Sequence, residues 1–334
     1  MKISASIYSD KKRPLKEVIE DLVAHQVDLL HVDCNDDVRV FEDIALIREW
    51  CDVPIDLHII TANPSKYMDL LIQNPVEYVT FQFEDAIEKI EFPKEITSKK
   101  GLAIVTPTSV EVFKEYDSFD FILIMATIPG QSGGVFDPVN FSKIRKFKKL
   151  YPSKSVHVDG GVNGEVSFIL RNMGVTSSVS GSYLFNEASI GQALMNLTKR
   201  AIHSRFLLKD FMIPLEETPT VNFNQLDFKT VLHSIDTGKL GVTIVLDENQ
   251  LFKGLISNAD VRKALMKHIE DLSNLPTKEL VNTSAVVIQE DQSVNDMMQL
   301  IKSKDFPISY LPVVNNENKA VGIITFVNLI KGEV

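Results

Sequence analysis

Eight short apolar runs separated by helical or loop-like stretches fill the first two hundred residues, and this alternation constrains the fold more than any other feature. The runs are residues 3–8, 27–33, 53–59, 78–82, 101–105, 119–125, 155–159 and 176–180. Amphipathic helical patterns lie between them, as at 15–24, 41–51 and 141–150. After the last run, residues 190–200 carry Ala193, Leu194 and Leu197 at helical spacing. Strands alternating with helices predict a parallel sheet, and eight βα units in about 200 residues predict a closed (β/α)8 barrel of the TIM type. The competing open, doubly wound sheet would leave all eight strands unclosed. No Gly-x-Gly-x-x-Gly follows the first run to favour it.

Three of the runs end on residues with chemistry. Leu29-Leu30-His31-Val32-Asp33 ends with His31 and Asp33 two apart, so a strand points both the same way. Residues 53–58 end on His58, and residues 155–159 end on Asp159 before Gly160-Gly161. A parallel barrel gathers such strand ends at one mouth, where two histidines and two aspartates form a reasonable ligand set for a divalent ion. Phosphate in such barrels is often held by the loops after strands seven and eight. Here these contain Asp159-Gly160-Gly161-Val162-Asn163 and Ser180-Gly181-Ser182, whose glycines let backbone N–H groups approach an anion. The segment Pro129-Gly130-Gln131-Ser132-Gly133-Gly134 after strand six has the composition of a lid.

These residues carry a resemblance. His31-Val32-Asp33, Asp56-Leu57-His58, Asn63-Pro64, the 125–134 segment, Val158-Asp159-Gly160-Gly161 and Ser180-Gly181-Ser182 resemble, in order and spacing, the ribulose-phosphate 3-epimerase family across residues 1–200. The resemblance implies one divalent ion (zinc, iron, manganese or cobalt) on His31, Asp33, His58 and Asp159. It implies Asp33 and Asp159 as the acid/base pair, and Ser6, Met125, Gly130, Gly133, Gly160, Gly161, Gly181 and Ser182 as substrate-binding residues. Epimerising a carbon beside a ketone needs a proton removed from one face and another returned to the opposite face, which suits two carboxylates. The lining departs from the family: Asn35, Ile60, Gln82 and Gln131 stand where it commonly has methionine, methionine, histidine and phenylalanine.

Residues 201–208 read as a linker helix, and beyond them the chain repeats itself. Residues 226–235 align with 294–303, 243–246 with 311–314, and 254–257 with 322–325, all at one gapless offset of 68. A constant offset across a helix, a strand and a turn reads as a tandem duplication. Each copy predicts helix, strand, turn, strand, helix. Gly254-Leu255-Ile256-Ser257-Asn258-Ala259-Asp260 and Gly322-Ile323-Ile324-Thr325-Phe326-Val327-Asn328 resemble the motif of the CBS (cystathionine-β-synthase) domain. The resemblance implies a smaller α+β tandem CBS (Bateman) module of domains 209–270 and 277–334. It further implies an adenosine or other nucleotide on Ser257, Asp260 and Thr325. Residues 240–265 are also similar to the CBS pair of arabinose-5-phosphate isomerases.

Composition narrows the partners. A net charge of -10 argues against nucleic acid, whose phosphates need a basic face. Cys34 and Cys51 make no disulfide framework, which fits a reducing cytoplasm. The N-terminus lacks signal-peptide character and no apolar run is long enough to span a membrane. The expected protein is a cytoplasmic, metal-dependent sugar-phosphate epimerase, a homo-oligomer whose CBS pair regulates or dimerises it. A ketohexose-phosphate epimerase and a non-catalytic sugar-phosphate sensor are the alternatives.

Overall fold

The chain divides into two compact units. The computed structural model describes residues 1–127, 133–198, 206–272 and 275–326.

In the N-terminal unit eight parallel strands close into a barrel in chain order: β1 (Lys2–Ser6), β2 (Leu29–Asn35), β3 (Ile55–Ile60), β4 (Tyr78–Gln82), β5 (Lys99–Val105), β6 (Phe121–Met125), β7 (Ser155–Asp159) and β8 (Ser177–Ser180). Closure is made by β8 pairing with β1, from Lys2↔Ser177 to Ala5↔Ser180. The strands are nearly continuous runs of buried residues, as expected where both faces are covered. Helices α1 (Leu15–Ala24), α2 (Val40–Trp50), α3 (Met68–Gln73), α4 (Val139–Leu150), α5 (Gly164–Asn172), α6 (Ser182–Asn186) and α7 (Ile190–Thr198) belong to this unit. Each longer helix turns an apolar stripe inward, such as Val18, Ile19 and Leu22 of α1 and Phe141, Ile144 and Phe147 of α4.

The structure corrects several local expectations. β1 stops at Ser6, because Ile7–Ser9 turn into a 3-10 helix. β2 starts at Leu29 because Val27 still closes α1, its N–H donating to the Leu22 carbonyl at 3.2 Å. The eight βα units are not uniform. Residues 83–98, between β4 and β5, form no helix, and residues Val110–Tyr116, between β5 and β6, form a 3-10 helix. In the former stretch Pro93 breaks any helical pattern, and buried Ile90 and Ile96 cover the barrel instead. Phe92 joins them, 5.6 Å from the Phe81 ring and 5.3 Å from the Phe119 ring.

The C-terminal unit opens with α8 (Leu208–Phe211) and β9 (Ile213–Pro214) and then displays the duplication. The first copy contains β10 (Thr220–Asn222), α9 (Phe228–Gly238), β11 (Val242–Leu246), β12 (Phe252–Ser257) and α10 (Asn258–Lys267). The second contains β13 (Ile288–Gln289), α11 (Val294–Lys302), β14 (Tyr310–Val314) and β15 (Ala320–Thr325). Its expected last helix falls in 327–334 and lies outside the described residues, as do residues 201–205 of the expected linker helix. β11 and β14, and likewise β12 and β15, are offset by 68 residues at both ends. The repeat extends to details that pattern reading did not anticipate. Each copy gains a short leading strand, β10 or β13, parallel to its neighbour. The register shifts at Val245/Leu246 and again at Val313/Val314. Gln250 and Asn318 both adopt left-handed backbone, at φ 63 and 58.

The copies contact each other reciprocally. The Phe252 N–H donates to the Asn318 carbonyl at 3.0 Å, and the Ala320 N–H donates to the Gln250 carbonyl at 3.2 Å. Each copy also covers the last strand of the other: β9, which leads the first, pairs with β15, and Asn282 bridges to Leu255 of β12. Val242, Ile244, Leu246, Leu255, Ala320 and Ile323 form a core shared by both copies.

Candidate metal and substrate site

The parallel register brings the chemistry of β2 and β3 side by side, pairing His31 with Asp56 and Asp33 with His58. Period-two alternation then points all four side chains to one face. β7 contributes Asp159 to the same place. One ligand atom from each of His31, Asp33, His58 and Asp159 lies within 4.8 Å of the others. His31 Nε2 is 3.3 Å from Asp33 and 3.8 Å from Asp159, while His58 Nδ1 is 3.5 Å from Asp33. Both imidazoles are fully buried; the two carboxylates keep about a fifth of their surface, 20% and 19%, open to the cavity.

The other ring nitrogens are spoken for. His31 Nδ1 lies 3.0 Å from Asp56, a buried carboxylate that also accepts the Ser4 hydroxyl at 2.9 Å. His58 Nε2 lies 3.0 Å from the Gln82 amide oxygen, and the Gln82 nitrogen donates to Glu84 at 2.5 Å. Glu84 in turn accepts the Val105 N–H at 3.0 Å. These partners orient the rings: each histidine donates outward and turns its other nitrogen, the one that would ligate a cation once deprotonated, toward the cluster. His31 Nε2 and His58 Nδ1 have no hydrogen-bond partner although they are buried. Two buried nitrogens left bare and aimed together at two carboxylates are what a bound cation satisfies.

The electrostatics agree with a compact acid–base cluster. Burial alone would lower the pKa of His31, but the Asp33 and Asp56 carboxylates outweigh it and hold it well above the ordinary value. Burial opposes ionisation of Asp33, yet His31 and His58 hold its carboxyl far below the usual range. Burial pushes the Asp159 carboxyl up, and the Asp33 charge adds to the rise against the pull of His31. The two aspartates thus diverge, the pattern expected when like charges share one desolvated place.

A cavity of about 430 Å³ opens over the cluster. Asp33, Asp159, Ser6, Met125, Gly133, Gly160, Gly161, Gly181 and Ser182 all line it, whereas Gly130 lies outside the described residues. Asn35 lines it as well. At the β7 end, Gly160 and Gly161 have φ 105 and 66, in left-handed territory that side chains rarely enter. A Cβ on Gly161 would sit 2.2 Å from the Phe136 backbone nitrogen, so this turn accepts only glycine. Asn163 then caps α5, its side chain accepting the Val166 N–H at 2.9 Å.

Among the residues assigned to the CBS motif, Ser257 and Asp260 meet each other first. Asp260 accepts the Ser257 N–H at 2.9 Å and its hydroxyl at 2.6 Å, and the Ser257 hydroxyl accepts the Asp260 N–H at 3.3 Å. This is a capping box at the start of α10. Thr325 is half-buried at the end of β15. Pattern reading of the sequence missed Ser4 and Glu84, quoted Asp56 without giving it a role, and noted Gln82 only as a departure. The available signal was that Asp56 shares a strand face with His58, and Ser4 with Ser6.

The sequence model of the ribulose-phosphate 3 epimerase family matches residues 2–185. The chain belongs to this family. Over 232 residues it is 30% identical to the ribulose-phosphate 3-epimerase of Methanocaldococcus jannaschii, across 64% of this chain and 95% of that one. The protein is accordingly an isomerase of the epimerase type. The CBS domain model matches residues 277–333, the second copy of the duplication, so the C-terminal unit is a CBS pair. A further likeness, 34% over 108 residues, is to the probable arabinose 5-phosphate isomerase of Haemophilus influenzae, across 32% of this chain and 30% of that one. Among solved structures, CBSX2 in complex with AMP is 24% identical with a TM-score of 0.32, covering 38% of this chain and 96% of that one. No described helix is long and apolar enough to cross a membrane.

Proposed function

We propose that the barrel is a divalent-metal-dependent epimerase that interconverts D-ribulose 5-phosphate and D-xylulose 5-phosphate, or a close relative of that pair. One observation carries the reading: two buried, unpartnered imidazole nitrogens converge with two carboxylates at the floor of a cavity. His31, Asp33, His58 and Asp159 would hold the ion, and this donor set suits zinc, iron, manganese or cobalt. Such an ion supplies a Lewis acid for the substrate oxygen that gains charge as the proton leaves. Asp33 and Asp159 exchange the proton at the carbon beside the ketone, one taking it and the other returning one to the opposite face by way of an enediolate. Gly160, Gly161, Gly181 and Ser182 offer backbone N–H groups to the phosphate. Ser6 and Met125 line the path between phosphate and reacting carbon.

A six-carbon ketose phosphate is the second reading. The support for it is Asn35, a polar side chain lining the cavity two residues from Asp33. The deciding experiment offers metal-loaded protein a panel of ketopentose and ketohexose phosphates in D2O. Deuterium entering at the carbon beside the ketone, with the epimer appearing, is the expected result. A protein that binds these compounds yet neither washes in deuterium nor makes an epimer would be a sensor rather than an enzyme.

For the CBS pair we infer an adenosine or other nucleotide ligand bound through Ser257, Asp260 and Thr325. The support is the motif itself and the start of α10, whose first amides favour an anion. A homo-oligomer assembled through the CBS pair is part of the same reading.

A further inference from the structure

We propose that Lys11, on the loop after β1, is a cation that binds the substrate phosphate, so that the β1 loop completes a cup otherwise made of backbone N–H groups. The inference rests on the ketose-phosphate reading above and deepens it. Three observations lead to it.

The first is position. Lys11 lines the cavity together with Gly181 and Ser182. A Cβ on Gly181 would lie 2.3 Å from the Ser9 hydroxyl, so the β1 loop packs directly on the turn after β8. Ser9 is anchored there, donating to the Ser6 hydroxyl at 3.1 Å. Lys11 is two residues further along the same loop. It also lines a neighbouring cavity bounded by Leu184, Phe185 and Glu187, in the segment that follows Ser182. Lys11 therefore stands at the phosphate end of the site.

The second is charge. Among the described residues lining the cavity, Lys11 is the one cationic side chain, and Asp33 and Asp159 are the acidic ones. A sugar phosphate is close to a dianion at neutral pH, and the whole chain carries -10. Backbone amides alone would have to draw that dianion into an acidic protein. A single ammonium at the rim both attracts it and forms a charge-assisted hydrogen bond.

The third is availability. The neighbouring ions are paired with one another: Arg13 binds Asp10 at 2.6 Å and Asp21 at 2.7 Å. Asp10 also accepts the Lys12 N–H at 2.8 Å. The exposed Lys11 ammonium has no ion-pair or hydrogen-bond partner among the described residues. The arrangement removes Asp10 as a competitor and leaves Lys11 for an incoming anion.

The test uses the full metal-loaded protein with inorganic phosphate as probe. Calorimetry is run on wild type, Lys11→Met, Lys11→Arg and Lys12→Met, followed by steady-state kinetics on the best ketose phosphate. Lys11→Met is expected to weaken phosphate roughly ten- to hundredfold, the worth of a hydrogen bond to a charged group. KM should rise by a similar factor with kcat nearly unchanged, the mark of uniform binding. Lys11→Arg should restore most of the loss, and Lys12→Met should behave as wild type. Added salt should erode wild-type affinity more than that of Lys11→Met. Phosphate binding equally well to wild type and Lys11→Met would overturn the role of Lys11 while leaving the sugar-phosphate reading intact. A wild type that binds neither phosphate nor any ketose phosphate would overturn both.

Discussion

The barrel and the CBS pair handle polar side chains in opposite ways. In the barrel, His31 and His58 are each held on one nitrogen by a partner from a neighbouring strand and left bare on the other. In the CBS pair, Ser257 and Asp260 satisfy each other within four residues, and Ser293 and Asp296 do the same at the start of α11. A buried polar atom without a partner costs on the order of 1–3 kcal/mol, a cost that the proposed cation would remove in the barrel. The capping boxes are complete as they stand. A ligand on Asp260 has to share or displace a hydrogen bond already made, whereas a cation in the barrel displaces none.

The largest effects that test this contrast are in the barrel. Asp33→Asn and Asp159→Asn are each expected to cut epimerisation by about a thousandfold, within the usual range for a positioned acid or base. Their deuterium-exchange patterns should differ, because each carboxylate serves one face. Near-wild-type turnover in either variant would end the two-base assignment.

Next comes the support of His58. Gln82→Leu removes the acceptor at its Nε2 and should weaken metal binding roughly ten- to hundredfold, measured by competition with a chelator. Gln82→His, which restores a ring nitrogen, should recover most of it. Unchanged affinity in Gln82→Leu would mean that packing alone orients His58.

A smaller effect separates the two capping boxes. Asp260→Ala and Asp296→Ala should each destabilise the C-terminal unit by ~0.5–2 kcal/mol, read from melting curves. If Asp260 contacts a nucleotide, only Asp260→Ala should also abolish the thermal shift produced by adenine nucleotides. Equal loss of that shift in both variants would assign Asp260 to helix capping alone.

The smallest expected effect is a pH dependence. Lys143 of α4 donates to the Thr106 carbonyl at 3.1 Å, and burial lowers its pKa to about 8 from 10.5. Between these values the unfolded chain binds the proton that the folded chain has lost, so stability rises with pH. The contribution of Lys143 is fully present above about pH 10.5 and is lost as pH falls to about 8. Lys143→Met should therefore gain melting temperature relative to wild type at pH 8 and lose that advantage toward pH 10.5. A difference constant across the range would mean that the ammonium is better solvated than its burial implies.

Much of the architecture was legible without coordinates, because it rests on local periodicity. The eight apolar runs became eight paired strands, and the offset of 68 reappeared in strand ends, register shifts and left-handed residues. Where the reading slipped, a local override was at work. Pro93 and scattered isoleucines replaced the helix expected after β4, and Val27 lies in the turn after α1, hydrogen-bonded back to Leu22.

The sequence by itself determined which side chains share a strand face. His31 with Asp33, and Asp56 with His58, follow from alternation alone. It also determined the duplication and the two capping boxes, since a helix start is written within four residues. Only the tertiary structure decided what those faces meet. Barrel closure and parallel register set Asp56 beside His31, Gln82 beside His58, and Lys11 near the turn at Gly181. Register between strands that lie far apart in the chain is chosen by packing and backbone ladders rather than by local pattern. The direction of each unpartnered imidazole nitrogen, on which the proposed metal site depends, is therefore a property of the closed barrel.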